Sequence, residues 1–201
     1  MFKWCVIAAL CFSGSLTAET KILALAGSTR EDSCNMKLAK EAATMAKKMG
    51  AIVTVINLKD YPMPFYDGDL EAAHGLPENA KKLRSLIMAN HAVIIASPEY
   101  NGSVSAVLKN ALDWASRTDS DKSGRDVFGN RVFALLSCSP GSSGGARGLV
   151  HLRTILENVG GKVVAKQVSV PNAFQAFDSE GHLIDADLKK ELAQEVQQLI
   201  P

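Results

Sequence analysis

Ile22-Leu23-Ala24-Leu25-Ala26 runs directly into Gly27-Ser28-Thr29-Arg30-Glu31-Asp32-Ser33-Cys34-Asn35. Five apolar residues without a polar break suit a short strand buried on both faces. The loop after it is small and polar. Residues 36–49 then place Leu38, Ala42, Met45 and Met49 at helical spacing, and Gly50 stops the pattern. A strand, a tight loop and a helix form the opening unit of a parallel α/β sheet.

Working outward, the unit recurs. Residues 52–58 read as a second strand rich in β-branched side chains, and 92–97, 131–137 and 162–170 as three more. Helical spacing marks 78–90, 104–115, 145–158 and 185–200. Residues 59–77, with three prolines, and 118–129 read as loops. Five strands alternating with five helices predict an α/β fold, a five-stranded parallel sheet with helices on both faces. No internal repeat and no second domain is visible.

Composition agrees with one globular domain. Of 201 residues, 47% are hydrophobic and 21% charged, too apolar for a disordered chain. The 22 basic and 21 acidic residues leave a net charge of +1, without the basic excess of a nucleic-acid binder. Four cysteines are too few for a disulfide scaffold. Residues 1–18 stand apart: Lys3, then the apolar run from Trp4 to Phe12, then Ser13-Gly14-Ser15 and a small residue at Ala18. That three-part shape reads as a signal peptide, with a mis-assigned start or a frayed tail as the alternatives. The run is too short to span a bilayer. Residues 19–201 form the expected domain.

In such a sheet, ligands bind beyond the carboxyl ends of the strands, near the switch in strand order. Three loops lie there. In the first, free N–H groups at a helix start make an anion site. Ser28 and Ser33 offer hydroxyls, Asn35 an amide, and Arg30 a planar cation suited to phosphate. The bland alternative is a turn with Ser33 as N-cap. The loop has neither the Walker lysine nor the Gly-x-Gly-x-x-Gly spacing of a dinucleotide fingerprint. The second loop, Ser97-Pro98-Glu99-Tyr100-Asn101-Gly102-Ser103, is stiffened by Pro98 and could present backbone groups to a planar heterocycle. The third, Ser137 to Gly145, is made of small residues that let a ligand approach the backbone. Together the three suggest a planar cofactor bearing a phosphate. His74, His91, His151 and His182 lack metal-ligand spacing.

Gly27-Ser28-x-Arg30-x-x-Ser33-x-Asn35, then Pro98-Glu99-Tyr100-Asn101-Gly102-Ser103, then Leu108-Lys109-Asn110-Ala111-Leu112-Asp113-Trp114, resemble the NADPH-dependent FMN reductases. The likeness extends from about Thr20 to the C-terminus. It implies a flavodoxin-like fold and an oxidoreductase with FMN as cofactor and NADPH or NADH as co-substrate. It further implies a small electron acceptor such as a quinone, azo compound, free flavin or metal oxyanion. Ser28, Arg30, Ser33 and Asn35 would hold the FMN phosphate. Pro98, Glu99, Tyr100 and Asn101 would border the isoalloxazine ring, with Ser139 beside it. No protein acid, base or nucleophile is required, because the flavin carries the hydride chemistry. Family members are dimers or tetramers, so a homodimer or homotetramer is implied. Asp113, Trp114 and Arg117 would lie near subunit contacts, core packing being an equal alternative for Trp114. Two positions depart from the family pattern: Ser105-Ala106 replaces a Pro-Gly pair, and Cys34 an aromatic residue. Cys34 and Cys138 fall on loops at one sheet edge, and no disulfide is expected between them.

Competing readings are an FMN-binding electron carrier and a flavodoxin-fold regulator without turnover. Arg30 in the loop and a near-neutral charge count against a carrier. Export would place the protein where NADPH is scarce, so location stays open between an exported and a cytoplasmic protein.

Overall fold

The alternating pattern folds as its periodicity dictates. The protein, described here as a computed structural model covering residues 19–120 and 122–201, has strands β1 (Lys21–Ala26), β2 (Ile52–Asn57), β3 (Ala92–Ala96), β4 (Glu99–Tyr100), β5 (Ser103–Val104), β6 (Val132–Cys138), β7 (Lys162–Val163) and β8 (Val168–Val170). The helices are α1 (Cys34–Lys48), α2 (Gly68–His74), α3 (Glu78–Met88), α4 (Ala106–Ala115), α5 (Gly124–Phe128), α6 (Ala146–Asn158) and α7 (Ala186–Gln197). The signal-peptide segment, residues 1–18, lies outside the described residues. Among the described residues, no helix is long and apolar enough to cross a membrane.

The main sheet runs β2-β1-β3-β6-β7, with β8 also on β6, and every pairing in it is parallel. That order is flavodoxin-like, and its switch point falls between β1 and β3. The fifth position differs from expectation. A single strand over 162–170 becomes two pieces, so the sheet has six strands. Between them, the Arg153 guanidinium donates to the carbonyls of Val163, Val164 and Ala165 at 3.4, 2.6 and 3.3 Å. Those carbonyls find a charged donor from α6 in place of a continuous ladder.

Period two along each central strand divides the core. Ile22 and Ala24 of β1 face α1 and α7, whereas Leu23 and Leu25 face α3, α4 and α6. Residues 92–96 of β3 split the same way. Each buried Leu or Ile contributes about 1.5–3 kcal/mol through removal from water, so both faces hold the sheet. The two loops expected at 59–77 and 118–129 also contain the short helices α2 and α5. Asp67 caps α2 through Asp69 N–H and Leu70 N–H, and a reciprocal Ser123–Asp126 capping box starts α5.

Candidate functional site

The carboxyl ends of β1, β3 and β6 all point to one edge of the sheet, and a cleft of about 370 Å³ opens there. From the first loop it is lined by Ser28, Arg30, Ser33 and Asn35; from the second by Pro98, Glu99 and Tyr100; from the third by Ser139. Asn101 lies outside it, beside a separate surface hollow on the far side of Tyr100. Eight of the nine residues singled out in the sequence therefore meet in one cavity.

The first loop is built as an anion cradle. Ser33 caps α1, its Oγ accepting from Met36 N–H at 3.2 Å, and Ser28 Oγ accepts from Arg30 N–H at 3.3 Å. Each hydroxyl is an acceptor in these bonds and keeps its own proton to donate. The N-terminal end of α1 adds the positive end of its dipole. The loop's acids are matched by lysines: Asp32 to Lys37 at 2.6 Å and Glu31 to Lys59 at 3.1 Å. The hydrogen bond from Lys37 holds the Asp32 carboxyl below its ordinary range. With both acids matched, the Arg30 charge is the loop's surplus. Two hydroxyl donors, a helix N-terminus and a surplus guanidinium fit a phosphate dianion.

Asn35 does other work. Its side chain is 2% exposed; Nδ2 donates to Cys138 O and Oδ1 accepts from Cys138 N–H, both at 2.9 Å. The amide pairs with the strand-end backbone as another peptide would. It ties the first loop to the third, spending one of the two Nδ2 hydrogens on that tie. Ser105 makes a second tie. Its Oγ donates to Gly27 O at 2.6 Å and caps α4 by accepting from Leu108 N–H. The departure at Ser105-Ala106 thus supplies a cross-loop bond.

The Glu99 carboxylate also turns away from the open cleft. It accepts from Gly148 N–H at 3.0 Å and pairs with Arg147 at 2.9 Å. The α6 N-cap is Gly145, which offers no side chain, so Glu99 caps that helix from the neighbouring loop. Burial alone would raise its pKa, but the Gly148 N–H and Arg147 outweigh burial and hold it below the carboxylate norm. Gly145 is obligatory: its φ is 88°, and a Cβ would stand 2.0 Å from Ser137 Oγ. Asn101 and Gly102, with φ of 51° and 78°, turn the chain between β4 and β5. Asn-Gly between two short extended pairs is the signature of a type I′ hairpin, and that signal was present in the sequence.

Other cleft residues were not anticipated. Lys37, Phe174 and Phe177 line it, the last two from the segment after β8. Phe174 is 88% exposed and Tyr100 51%, so both rings stand at the rim. Nothing in the periodicity of a loop beyond the last strand marks such residues. The Leu-Lys-Asn helix proves to be architectural. Asn110 holds the 64–66 segment through Pro64 O and Tyr66 N–H, and Trp114 Nε1 donates to Pro64 O at 2.8 Å. Trp114 is fully buried and meets Tyr66 edge-on at 5.0 Å. It is a core residue, the alternative that the sequence left open for it.

The order of the sheet and the anion cradle at its switch point define a flavodoxin-like nucleotide-binding protein. The family model of the NADPH-dependent FMN reductases matches residues 20–175, and the chain belongs to that family. An NADPH:quinone oxidoreductase of Arabidopsis thaliana is 35% identical over 177 residues, covering 87% of each chain. An NAD(P)H-dependent FMN reductase of Pseudomonas aeruginosa is 32% identical over 185 residues, covering 92% of this chain and 95% of its own. Among solved structures, the flavoenzyme NAD(P)H:(acceptor) oxidoreductase FerB of Paracoccus denitrificans superposes with a TM-score of 0.74 at 28% identity, over 90% of this chain and 94% of that one. The protein is an NAD(P)H-dependent flavin oxidoreductase with FMN as its cofactor.

Proposed function

We propose that the cleft holds FMN by its phosphate at Ser28, Arg30 and Ser33, and that the enzyme reduces quinones. The observation that carries the phosphate assignment is the loop's charge: both acids are matched by lysines while Arg30 and two hydroxyls remain as donors. FMN held there would supply the two-electron chemistry between NADPH and the acceptor.

The chain's own residues orient and support. Asn35 and Ser105 hold the first loop against the third loop and α4, fixing the cradle before any ligand enters. Pro98 and the Asn101-Gly102 turn stiffen the second loop, which borders the ring together with Tyr100 and Ser139. Glu99 fixes the start of α6 from within that loop and contacts no reacting atom. Lys37 neutralises Asp32, so that carboxylate does not repel a phosphate. Phe174 and Tyr100, exposed at the rim, offer flat apolar surfaces to a planar acceptor.

The quinone assignment takes support from the names of the plant relatives. Oligomerisation as a homodimer or homotetramer fits the hollow beside Tyr100, His151 and Ile155 and the 57% exposure of Val150. Steady-state NADPH oxidation with FMN-saturated enzyme, comparing benzoquinone, an azo dye, chromate and free FMN, tests the acceptor. The quinone is expected to give the highest kcat/KM. Equal, slow rates with all four would point to a carrier or regulator.

A further inference from the structure

The segment between β8 and α7 is an arm laid along one wall of the cleft. It turns back on itself at residues 178–181 and returns to Asp185, the cap of α7. Across the arm Phe177 bridges to Leu183, and Ile184 N–H donates to Ala176 O at 2.9 Å. Leu183 is fully buried among residues of α1 and α7. Ala173 and Phe177, both half-buried, line the cleft. Ala173 N–H ties the base of the arm to the third loop through Ser139 O at 3.2 Å.

The tip of the arm meets α1 through charge. His182 Nδ1 lies 2.9 Å from Glu41 Oε2, and the Glu41 side chain is only 11% exposed. Glu180 brings a carboxylate to 3.9 Å from His182 Nε2, and Asp178 Oδ1 accepts from His182 N–H at 2.9 Å. Lys37, one turn before Glu41, passes beside Gly181, where a Cβ would stand 3.8 Å from Lys37 Cγ. Lys37 is itself paired to Asp32 of the first loop.

We propose that His182 is a positioning residue for FMN: while charged it clamps the arm to Glu41 and so holds Phe177 against the cofactor, an inference that rests on the cleft being the FMN site.

The path from clamp to cleft is short. His182 precedes Leu183, the partner of Phe177 across the arm. A tip released from α1 therefore carries the Phe177 wall with it. Three carboxylates, those of Glu41, Asp178 and Glu180, surround this imidazole, with Lys37 beside the tip. Donation to Glu41 and the charges of these acids raise the His182 pKa above its ordinary value. The clamp is therefore complete in acid and is lost as pH rises through that raised value. Above it, the acids of the arm and of α1 face each other across a neutral ring. FMN affinity gains from the clamp below this transition and loses that gain above it.

The test measures FMN binding to the full chain by flavin fluorescence quenching at about pH 6 and about pH 9, either side of the histidine range. His182→Asn keeps a donor near the Nδ1 position and cannot take up a charge. Its site is half exposed, and unchanged melting shows that the variant folds. Wild type is expected to bind FMN about fivefold more tightly than His182→Asn at the lower pH and equally at the higher. Glu41→Gln removes the charge that His182 clamps and should behave as His182→Asn does. The FMN phosphate, with a second pKa of about 6, and Cys34 titrate in the same range, but in both proteins alike, so they cancel in the ratio. By reciprocity, FMN must raise the His182 pKa by the logarithm of that factor, about 0.7, read from the imidazole NMR signals with and without FMN. A ratio of affinities that is the same at both pH values, at unity or away from it, overturns the proposal. So does a His182 pKa that FMN leaves unmoved. Arg30→Ala, run alongside, separates the two readings. If it weakens FMN while the ratio stays flat, the clamp alone is lost; if it leaves FMN binding unchanged, the cleft is not the FMN site and both readings fall.

Discussion

The floor and the rim of the cleft are made differently. On the floor, polar side chains are engaged in holding loops: Asn35 to Cys138, Ser105 to Gly27, Glu99 to α6. At the rim, Arg30, Tyr100 and Phe174 stand exposed. A binding cleft needs both kinds of residue. The floor spends its hydrogen bonds to fix where donors point, so a ligand meets a preorganised cradle. The rim stays free to meet what enters. Substitutions on the floor should therefore move stability and affinity together, and those at the rim should move affinity or acceptor kinetics alone.

Asn35→Ala gives the largest expected effect. It strips two bonds from the buried Cys138 backbone, leaving the N–H unsatisfied and the carbonyl with only the weak Cys34 thiol donor, a loss of about 2–4 kcal/mol. Denaturant melts of the flavin-free protein should show it, with FMN affinity falling as well. Stability unchanged would break the division between floor and rim.

Glu195 extends the comparison to a carboxyl outside the cleft. It is 1% exposed on α7, Oε1 has no partner, and burial pushes its pKa up to about 7. The unfolded chain releases this proton near the ordinary value of 4.5, the folded chain not until about 7. Between those values the unfolded state binds fewer protons, so this group's contribution to stability falls as pH rises and the full penalty stands above pH 7. Glu195→Gln should therefore stabilise by about 1–3 kcal/mol at pH 8 and by little at pH 4. Glu99 is held the opposite way, charged and below the norm, so its contribution is lost only on acidification. Parallel melts of Glu195→Gln and wild type across pH would reveal the contrast, and identical curves would remove it.

At the rim, Arg30→Ala should weaken FMN binding about ten- to a hundredfold through loss of one charged hydrogen-bonding group, with melting of the flavin-free protein unchanged. Flavin fluorescence quenching would measure it. Phe174→Ala should leave FMN affinity and stability near wild type, within about 0.5 kcal/mol, and raise KM for a quinone severalfold. A fall in kcat without a change in KM would remove Phe174 from the acceptor's path.

The fold was legible because its signals are local. Unbroken apolar runs mark β1 and β3 as strands buried on both faces, and a helix start shows in Ser33. What escaped was set by long-range partners. The fifth strand breaks where Arg153 takes three carbonyls, a contact no strand propensity contains. The first loop's Ser28, Arg30 and Ser33 were readable as an anion site from their chemistry. The tie of the Asn35 side chain to Cys138 was not readable, because that partner lies 103 residues away. The capping of α6 by the Glu99 carboxylate was hidden for the same reason, its partner Gly148 being 49 residues distant. The Asn101-Gly102 hairpin was readable and was missed.

The central claim is that the cradle holds FMN and that NADPH reduces it there. Anaerobic titration of the FMN-loaded protein with NADPH, followed by a quinone, tests it most directly through the visible flavin spectrum. The account predicts that NADPH bleaches the bound flavin and that the quinone restores its colour. FMN that fails to bind, or that binds and keeps its colour in excess NADPH, would contradict it.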